Sequence, residues 1–414
     1  MRIDKFVVKV ASRCNINCTY CYMYNVGDLS YKDQPKFISE VTVKTFVNKL
    51  STHIEKNKLK AVHIVIHGGE PLLWSKDAFE NFIYAFNEIK EKITLLQFSM
   101  QTNAILISDE WCNLLKKHKI NIGVSLDGTK INNDKYRIDK KGKGTYDDVI
   151  KGINILNKND LKAGILSVMN ITADPIEYYN HFKSLNLRSI DILFLDINYD
   201  TKSIQGNFKK VYEWYIEIFN KWYNEEEQRS EIRFFEMIIK EVLGETQDID
   251  SLGIHENNLL VLETNGDLEA VDALKVCGDS FTKSKINIKN HEIDEISNSK
   301  LMDVYYNSGK YLPKKCLACP VQDICGGGYL PHRYSSNNGF NNPSIYCNDL
   351  LKIITHIQNT VIDHMPVELK LETGIEKLTY ENALQIIEEA LPFIPEPNYT
   401  ELLESFRKEI NVSI

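Results

Sequence analysis

The feature that most constrains the fold is a repeated strand and helix period from Phe6 to about Leu195. Short β-branched runs alternate there with loops and amphipathic stretches of ten to fifteen residues. A succession of βα units predicts a parallel sheet with helices outside it, because each parallel pair needs a crossover connection. The predicted strands are Phe6–Val10, Val62–Ile66, Leu95–Met100, Asn121–Ser125, Ala163–Val168 and Ser189–Phe194, and the predicted helices include Val41–Lys56 and Lys76–Lys92.

Six such units are fewer than the eight that close a full barrel. We therefore expect an α/β fold with a partial (β/α)6 TIM-like barrel, in preference to a doubly wound sheet. In both architectures the active site lies where the parallel strands end.

A chain of 414 residues favours more than one domain. The pattern after the barrel indicates three further segments. After the barrel at 1–200, residues 201–255 are expected to form a helical bridge. Within it, two helices between Gly206 and Gly244 would bury a stripe of aromatic side chains at 212, 215, 219, 222 and 223. A hairpin with strands Leu259–Glu263 and Asp267–Val271 opens a predicted cysteine-rich domain at 256–360, and a helical appendage follows at 361–414.

Charge and hydropathy exclude two classes of partner. With 57 acidic and 49 basic residues and a net charge of -8, the chain lacks the basic excess of a nucleic-acid-binding surface. No apolar run approaches the roughly 20 residues that cross a bilayer, and the N-terminus has no signal-peptide pattern. We expect a cytoplasmic protein without nucleic-acid or membrane partners.

Nine cysteines form an odd count in tight clusters, which indicates metal ligation in a reducing compartment rather than disulfides. The first cluster follows the first strand and supplies only three thiols, Cys14, Cys18 and Cys21. Structural zinc sites usually take four protein ligands, whereas a [4Fe–4S] cube held by three thiolates leaves one iron for another ligand. Cys112, within an amphipathic helix, is expected to be a buried apolar residue.

Polar motifs follow the next strands of the predicted sheet. His67 precedes Gly68, Gly69 and Glu70, where glycines allow close backbone approach and a carboxylate can accept a bond from an ammonium group. Further along, Ser125 ends the fourth predicted strand. Arg137 follows it, and its guanidinium can bind a carboxylate through two parallel hydrogen bonds. His67 fits either a core position or a place beside the ligand.

The C-x3-C-x-Tyr-C pattern after the first strand resembles the signature of the radical S-adenosylmethionine (SAM) superfamily. The resemblance implies that the free iron binds the SAM amine and carboxylate, and that one electron cleaves SAM to a 5′-deoxyadenosyl radical. It also implies contacts of Tyr20 and Leu195 with the adenine, Ser125 with the ribose and Arg137 with the carboxylate. The segment Gly68, Gly69 and Glu70 resembles the family's motif for the SAM amino group.

The second cluster, Cys316, Cys319, Cys325 and Cys347, can close a zinc site or a [4Fe–4S] cluster. In a chain that also carries the upstream radical SAM pattern, this segment resembles the SPASM auxiliary-cluster domain of peptide-modifying enzymes. Tyr329 stands where that pattern has a further cysteine, and upstream only Cys277 remains. The resemblance then implies one auxiliary [4Fe–4S] cluster, with Cys277 a bystander.

The segments ETNGDLEAVDALKVCGDS and GGGYLPHRYSSNNGFNNPSIYC resemble a clade that cross-links ribosomally made peptides into cyclophanes. The implied function is a carbon–carbon bond between an aromatic side chain and a β-carbon, with Asp272 as the general base. Thioether formation, epimerisation and oxidation of a sulfatase residue to formylglycine are the alternatives on this scaffold. A zinc-stabilised protein without catalysis is the alternative from another class.

The implied partners are a ribosomally made precursor peptide and an electron donor such as flavodoxin or ferredoxin. A flexible precursor would bind as an added strand or in a groove. No recognition domain is expected before Phe6, so a separate leader-recognition protein is the other route to the precursor.

Overall fold

The computed structural model describes residues 1–201, 210–225, 230–245 and 250–408. It contains ten strands, β1 Lys5–Ala11, β2 Ala61–Gly68, β3 Leu95–Thr102, β4 Asn121–Ser125, β5 Gly164–Val168, β6 Ser189–Leu193, β7 Glu231–Ile232, β8 Leu259–Leu262, β9 Asp267–Glu269 and β10 Lys283–Asn287. The helices are α1 Glu40–Asn57, α2 Lys76–Ala85, α3 Asn87–Lys90, α4 Asp109–Lys117, α5 Lys130–Tyr136, α6 Tyr146–Lys158, α7 Pro175–Lys183, α8 Val211–Tyr223, α9 Arg233–Val242, α10 Lys300–Tyr306, α11 Lys314–Leu317, α12 Gln322–Cys325, α13 Cys347–His364, α14 Val367–Thr373, α15 Tyr380–Ala390 and α16 Thr400–Glu404.

The chain divides into two compact units, one of residues 1–173, 177–195 and 258–303, and the other of residues 174–176, 196–257 and 304–414. These bounds differ from the four consecutive segments that the sequence predicts. Among the described residues, no helix combines the length and the apolar composition that a bilayer span requires.

The first unit confirms the parallel βα array. Strands β1 to β6 lie side by side in chain order, and each consecutive pair is parallel. All six predicted strands are present within about two residues of their expected bounds. Alternating residues such as Phe6, Val8 and Val10 are buried on one face of β1 against the surrounding helices.

The sheet also continues past β1, which the sequence pattern does not predict. Strand β8 pairs in parallel with β1, and Val8 lies opposite Leu262. The predicted hairpin is confirmed as β8 and β9 around Gly266, whose φ of +95° suits a residue without a Cβ. However, the hairpin extends the first unit's sheet rather than opening a cysteine-rich domain, and it brings residues 263–277 to the carboxyl end of β1.

The second unit is mainly helical. Helix α13 packs against α8 and α9, and α15 packs against α13. Tyr215, Phe219 and Trp222 are buried on α8, which confirms the core stripe, while Tyr212 and Tyr223 are half-buried at its margins. The first residues of the predicted bridge helix and the segment before β7 lie outside the described residues. The two predicted C-terminal helices are confirmed as α15 and α16.

Candidate active site and cysteine clusters

The first cysteine cluster lies in the loop that follows β1. Backbone N–H groups of Cys21 and Tyr24 donate to the carbonyls of Cys18 and Cys21, each at 3.1 Å, so the loop is wound into successive turns. The three thiols influence one another, since Cys18 and Cys21 both raise the pKa of Cys14. Cys14, Cys18 and Cys21 thus lie within electrostatic range of one another in this loop, and their role as cluster ligands stays a prediction.

Burial makes free thiolates unfavourable in this loop. Loss of solvation is the largest cause that raises the pKa of Cys14 to about 12 and that of Cys21 to about 11. The same cause raises the pKa of Cys18, although the Arg137 guanidinium opposes it. A cationic iron centre would stabilise the deprotonated sulfurs, so the donor set fits an iron–sulfur cluster.

Gly68 and Gly69 hold the end of β2 against the cysteine loop. The Gly69 N–H donates to the Ala11 carbonyl at 2.8 Å, and the Glu70 N–H donates to the Arg13 carbonyl at 3.1 Å. A Cβ on Gly69 would lie 2.1 Å from Tyr24 Oη. The closest neighbours of both glycines are therefore protein atoms, which gives the motif a packing role that the sequence does not predict.

Glu70 is 1% exposed and is held by three neighbours from its own chain. Its Oε1 accepts from the Leu72 N–H at 2.9 Å and from Thr102 Oγ1 at 2.7 Å, and its Oε2 accepts from the Asn103 N–H at 2.8 Å. Burial raises the pKa of Glu70, and these bonds counteract the shift. Oε2 retains a lone pair for one further donor.

Tyr20, Asp127 and Arg137 form a buried polar cluster beside the thiols. Tyr20 Oη donates to Asp127 Oδ2 at 2.5 Å, and Arg137 Nη1 donates to Tyr20 Oη at 2.9 Å. Arg137 is 7% exposed, and its Nε is buried without a hydrogen-bond partner. Backbone bonds from Asn17 to Ile138 and from Thr19 to Tyr136 fix the cysteine loop on either side of Arg137.

Two other predicted ligand contacts lie at the ends of their strands. Ser125 ends β4 and accepts from Gln101 Nε2 at 2.8 Å. Leu195 follows β6 in the first unit. The contacts of Ser125 with the ribose and of Leu195 with the adenine stay predictions.

Asp272 belongs to a buried charge cluster at the carboxyl ends of β1, β2 and β8. Its Oδ2 lies 2.8 Å from Lys9 Nζ, and its Oδ1 is buried without a hydrogen-bond partner. Burial would raise the pKa of Asp272, but Lys9, Lys275 and His67 lower it on balance. The carboxylate is consequently charged at neutral pH and keeps one oxygen available as a proton acceptor.

Lys275 lies behind Asp272 and uses its hydrogen bonds elsewhere. Its Nζ donates to Glu263 Oε1 at 2.9 Å, to Glu269 Oε2 at 3.0 Å and to Thr282 Oγ1 at 3.5 Å. Lys275 Nζ lies 3.8 Å from Asp272 Oδ1, which is too far for a hydrogen bond. Lys275 therefore acts on Asp272 only through its charge.

His67 and Lys9 lie opposite each other in the β1–β2 register. Burial, and then Lys9, lower the pKa of His67 to about 4, so its ring is neutral, and its Nδ1 has no hydrogen-bond partner. Lys9 is a site residue that was not predicted. A charged residue inside the otherwise apolar run FVVKVA is the signal that identifies it.

The second cysteine cluster lies in the second unit. Cys316, Cys319, Cys325 and Cys347 all line one cavity. Loss of solvation raises the pKa of Cys316 to about 12 and that of Cys325 well above its ordinary value. Cys277 belongs to the first unit and is 2% exposed, and Cys112 is fully buried on α4 as expected.

The four thiols line one pocket, and four thiolates can hold either a zinc ion or a [4Fe–4S] cluster. Within the described ranges, no three or more His, Cys, Asp or Glu side chains are already placed around a single point.

Comparison with known proteins gives the family and the relatives that this chain is similar to. The radical SAM superfamily model matches residues 8–186. The serine-type anaerobic sulfatase-maturating enzyme of Bacteroides thetaiotaomicron is 26% identical over 356 residues, covering 80% of this chain and 83% of that protein. The cysteine-type anaerobic sulfatase-maturating enzyme of Clostridium novyi is 26% identical over 353 residues, covering 83% of this chain and 92% of that protein.

The fold has a solved counterpart. A structure of native anSMEcpe with bound AdoMet superimposes with a TM-score of 0.73 at 20% identity, covering 87% of this chain and 98% of the other. The three-thiol loop lies within residues 8–186, the part of the chain that matches the radical SAM superfamily. The chain is an enzyme whose cofactors are a [4Fe–4S] cluster and S-adenosylmethionine.

Proposed function

We propose that this enzyme oxidises a serine or cysteine side chain of a peptide or protein substrate to an aldehyde, as in formylglycine formation. The observation that carries the proposal is similarity along at least four fifths of the chain to sulfatase-maturating enzymes of both the serine and the cysteine type. The cyclophane cross-link that the sequence segments favour has no counterpart among these relatives. The sulfatase alternative is therefore the better supported of the two.

We assign the cluster ligands from the thiol groupings. Cys14, Cys18 and Cys21 would hold the SAM-binding [4Fe–4S] cluster, and Cys316, Cys319, Cys325 and Cys347 the auxiliary one. The unpartnered Arg137 Nε and the remaining lone pair of Glu70 Oε2 would bind the carboxylate and amine of SAM. When bound, the reduced cluster and SAM supply a radical that removes a hydrogen atom from the substrate β-carbon.

Asp272 would complete the oxidation. A serine or cysteine that has lost a β-hydrogen must still lose one proton from oxygen or sulfur and one electron. Asp272 Oδ1 is buried, charged and without a hydrogen-bond partner, so it can accept the proton. The electron would go to the auxiliary cluster, and a thioaldehyde from cysteine would release sulfide on hydrolysis.

An aldehyde assay separates this proposal from its rivals. Reconstituted enzyme, SAM and dithionite would be incubated anaerobically with otherwise identical synthetic peptides that carry serine, cysteine or alanine at one position. Oxidation of serine removes two hydrogens and leaves a carbonyl that a hydrazide probe captures. A product that loses two hydrogens without reacting with the probe is a cross-link, and one of unchanged mass is an epimer. Either result would overturn the proposal.

Iron content tests the ligand assignment separately. Two [4Fe–4S] clusters give about eight irons per chain. We expect about four in a variant with Cys14, Cys18 and Cys21 replaced by alanine, and about four in Cys325→Ala. Cys277→Ser is the matched control, and a loss of iron in that variant would contradict its assignment as a bystander.

A further inference from the structure

The auxiliary-cluster cavity is lined by two side chains that carry polar groups but are not cysteines. Lys315 precedes Cys316 on α11, and Gln322 opens α12 three residues before Cys325. The apolar lining includes Val321, Leu351 and Ile387, so these polar groups are placed among hydrophobic side chains.

Lys315 has no carboxylate partner in the part of the chain that the structure describes, where its ammonium group makes neither a hydrogen bond nor an ion pair. Its side chain lines the same cavity as the four thiols and directly precedes Cys316 in the chain. Lys315 thus supplies an unpaired positive charge at the wall of the thiol-lined cavity, where a charge acts on a cluster through space.

Gln322 adds a neutral dipole to the same cavity. Its Oε1 is buried and has no hydrogen-bond partner. A half-turn of the amide about its terminal bond exchanges Oε1 with Nε2, which presents a donor to a sulfur atom. Hydrogen bonds to the sulfurs and net charge are among the factors that set the reduction potential of an iron–sulfur cluster.

We propose that Lys315, assisted by Gln322, raises the reduction potential of the auxiliary cluster and so makes it an electron acceptor. A positive charge and a donor near the sulfurs stabilise the reduced cluster, which carries one more negative charge than the oxidised one. The proposal rests on the cysteine ligands assigned under the proposed function but does not depend on the substrate.

Arg333 is the other cation close to these thiols, and it has a structural role. It is fully buried, and its guanidinium donates to the carbonyls of Ser308 at 2.8 Å, of Tyr311 and of Phe340. Its replacement would remove three backbone contacts, so it is unsuited to a test of charge alone.

The neighbouring Lys314 provides a matched control. Its Nζ pairs with Glu396 at 2.9 Å, its side chain is 40% exposed, and it is not among the residues that line the cavity. Lys314→Gln and Lys315→Gln change the net charge equally, but only Lys315→Gln removes a charge that lines the cavity, whereas Lys314→Gln removes a half-exposed ion pair with Glu396.

The test is a redox titration followed by electron paramagnetic resonance. The full chain would carry alanine at Cys14, Cys18 and Cys21, so that the auxiliary cluster alone gives the signal. We expect Lys315→Gln to shift the midpoint to a more negative potential, Lys315→Arg to restore it, and Lys314→Gln to leave it unchanged. Gln322→Leu should also shift it negatively, by less.

Equal midpoints for Lys315→Gln and Lys314→Gln would overturn the proposal, as would a positive shift in Lys315→Gln. Iron content separates this failure from a failure of the ligand assignment. If the parent variant holds no auxiliary cluster, the assignment fails and the proposal fails with it. If it holds the cluster and the midpoints coincide, only the role of Lys315 is wrong.

Discussion

At the scale of single residues, the site depends on how buried charges are paired. Asp272 and Lys9 lie 2.8 Å apart, with exposed side-chain fractions of 7% and 1%. A buried carboxylate without that cation would be protonated at a much higher pH. The cation keeps Asp272 ionised and occupies Oδ2, so Oδ1 is left without a hydrogen bond, as the proposed role of a proton acceptor requires.

We expect Asp272→Asn to lower the rate of product formation by roughly 100-fold or more, the usual contribution of a general base. The amide keeps the shape of the side chain but cannot accept the proton. SAM cleavage should continue, so 5′-deoxyadenosine and product, both measured by chromatography, should become uncoupled. Asp160→Asn is the control, because the Asp160 side chain is 95% exposed. Coupled turnover in Asp272→Asn would contradict the assignment of Asp272 as the base.

Lys9→Met should destabilise the protein by about 3–5 kcal/mol, because it leaves Asp272 buried without its partner. Replacing both residues, as in Lys9→Met with Asp272→Leu, should recover most of that loss. Denaturant unfolding at neutral pH would measure the free energies. A double variant that is no more stable than Lys9→Met would contradict this prediction.

The same pair gives a pH dependence with a definite sign. The pKa of Asp272 lies below its ordinary value of 3.8, so the folded protein keeps this carboxylate ionised at a lower pH than the unfolded chain does. Its contribution to stability is complete above that ordinary value and is lost as the pH falls through the lowered one. In Asp272→Asn this part of the acid-unfolding profile should disappear.

At the scale of elements, the end of β2 and the cysteine loop are built to fit each other. Gly68 has a φ of +143°, and a Cβ there would lie 2.1 Å from the Ala11 carbonyl oxygen. A Cβ on Gly69 would also lie 2.4 Å from the Arg13 carbonyl oxygen. Any larger residue must move the loop backbone that leads into Cys14.

Gly69→Ala should therefore reduce iron at the first cluster to the level of the triple alanine variant of Cys14, Cys18 and Cys21. The auxiliary cluster should remain, so about half of the iron should be retained. Gly142→Ala is the control for backbone strain without a steric clash, because Gly142 has a φ of +84° but a Cβ there has nothing within 4 Å. Full iron content in Gly69→Ala would show that the loop accommodates the added carbon.

At the scale of the whole molecule, the two units differ in what stabilises them. The first unit has nine strands in one sheet, β10-β9-β8-β1 through β6, with apolar side chains buried along it. Around its cavity, the second unit relies on short helices and turns, with α11 and α12 of four residues each. Metal ligation would substitute there for part of the hydrophobic core.

Removal of both clusters by chelation should consequently raise hydrogen exchange most in residues 314–330 and at the start of α13. Exchange in β1 to β5 should change much less, since their backbone bonds lie within the sheet. Mass spectrometry of peptic peptides would measure both. The reconstituted protein is the reference, and equal protection before and after chelation would contradict a stabilising role for the auxiliary cluster.

Much of the fold and part of the site follow from local patterns. The strands β1 to β6 and the thiol groupings were predictable because periodicity and ligand spacing are properties of adjacent residues. The parallel pairing of β8 with β1 was not, because it joins segments about 250 residues apart in the chain. Register between distant strands depends on which faces become buried together.

The resemblance to the radical SAM superfamily could be read from the sequence, because three thiols with that spacing after a first strand are a local pattern. The groups that surround those thiols depend on the tertiary fold. Lys9, His67 and Asp272 come from three distant segments, and Lys315 reaches the auxiliary cavity while Lys314 pairs with Glu396. Charge pairing acts through space, so only folding brings these groups within electrostatic range of one another.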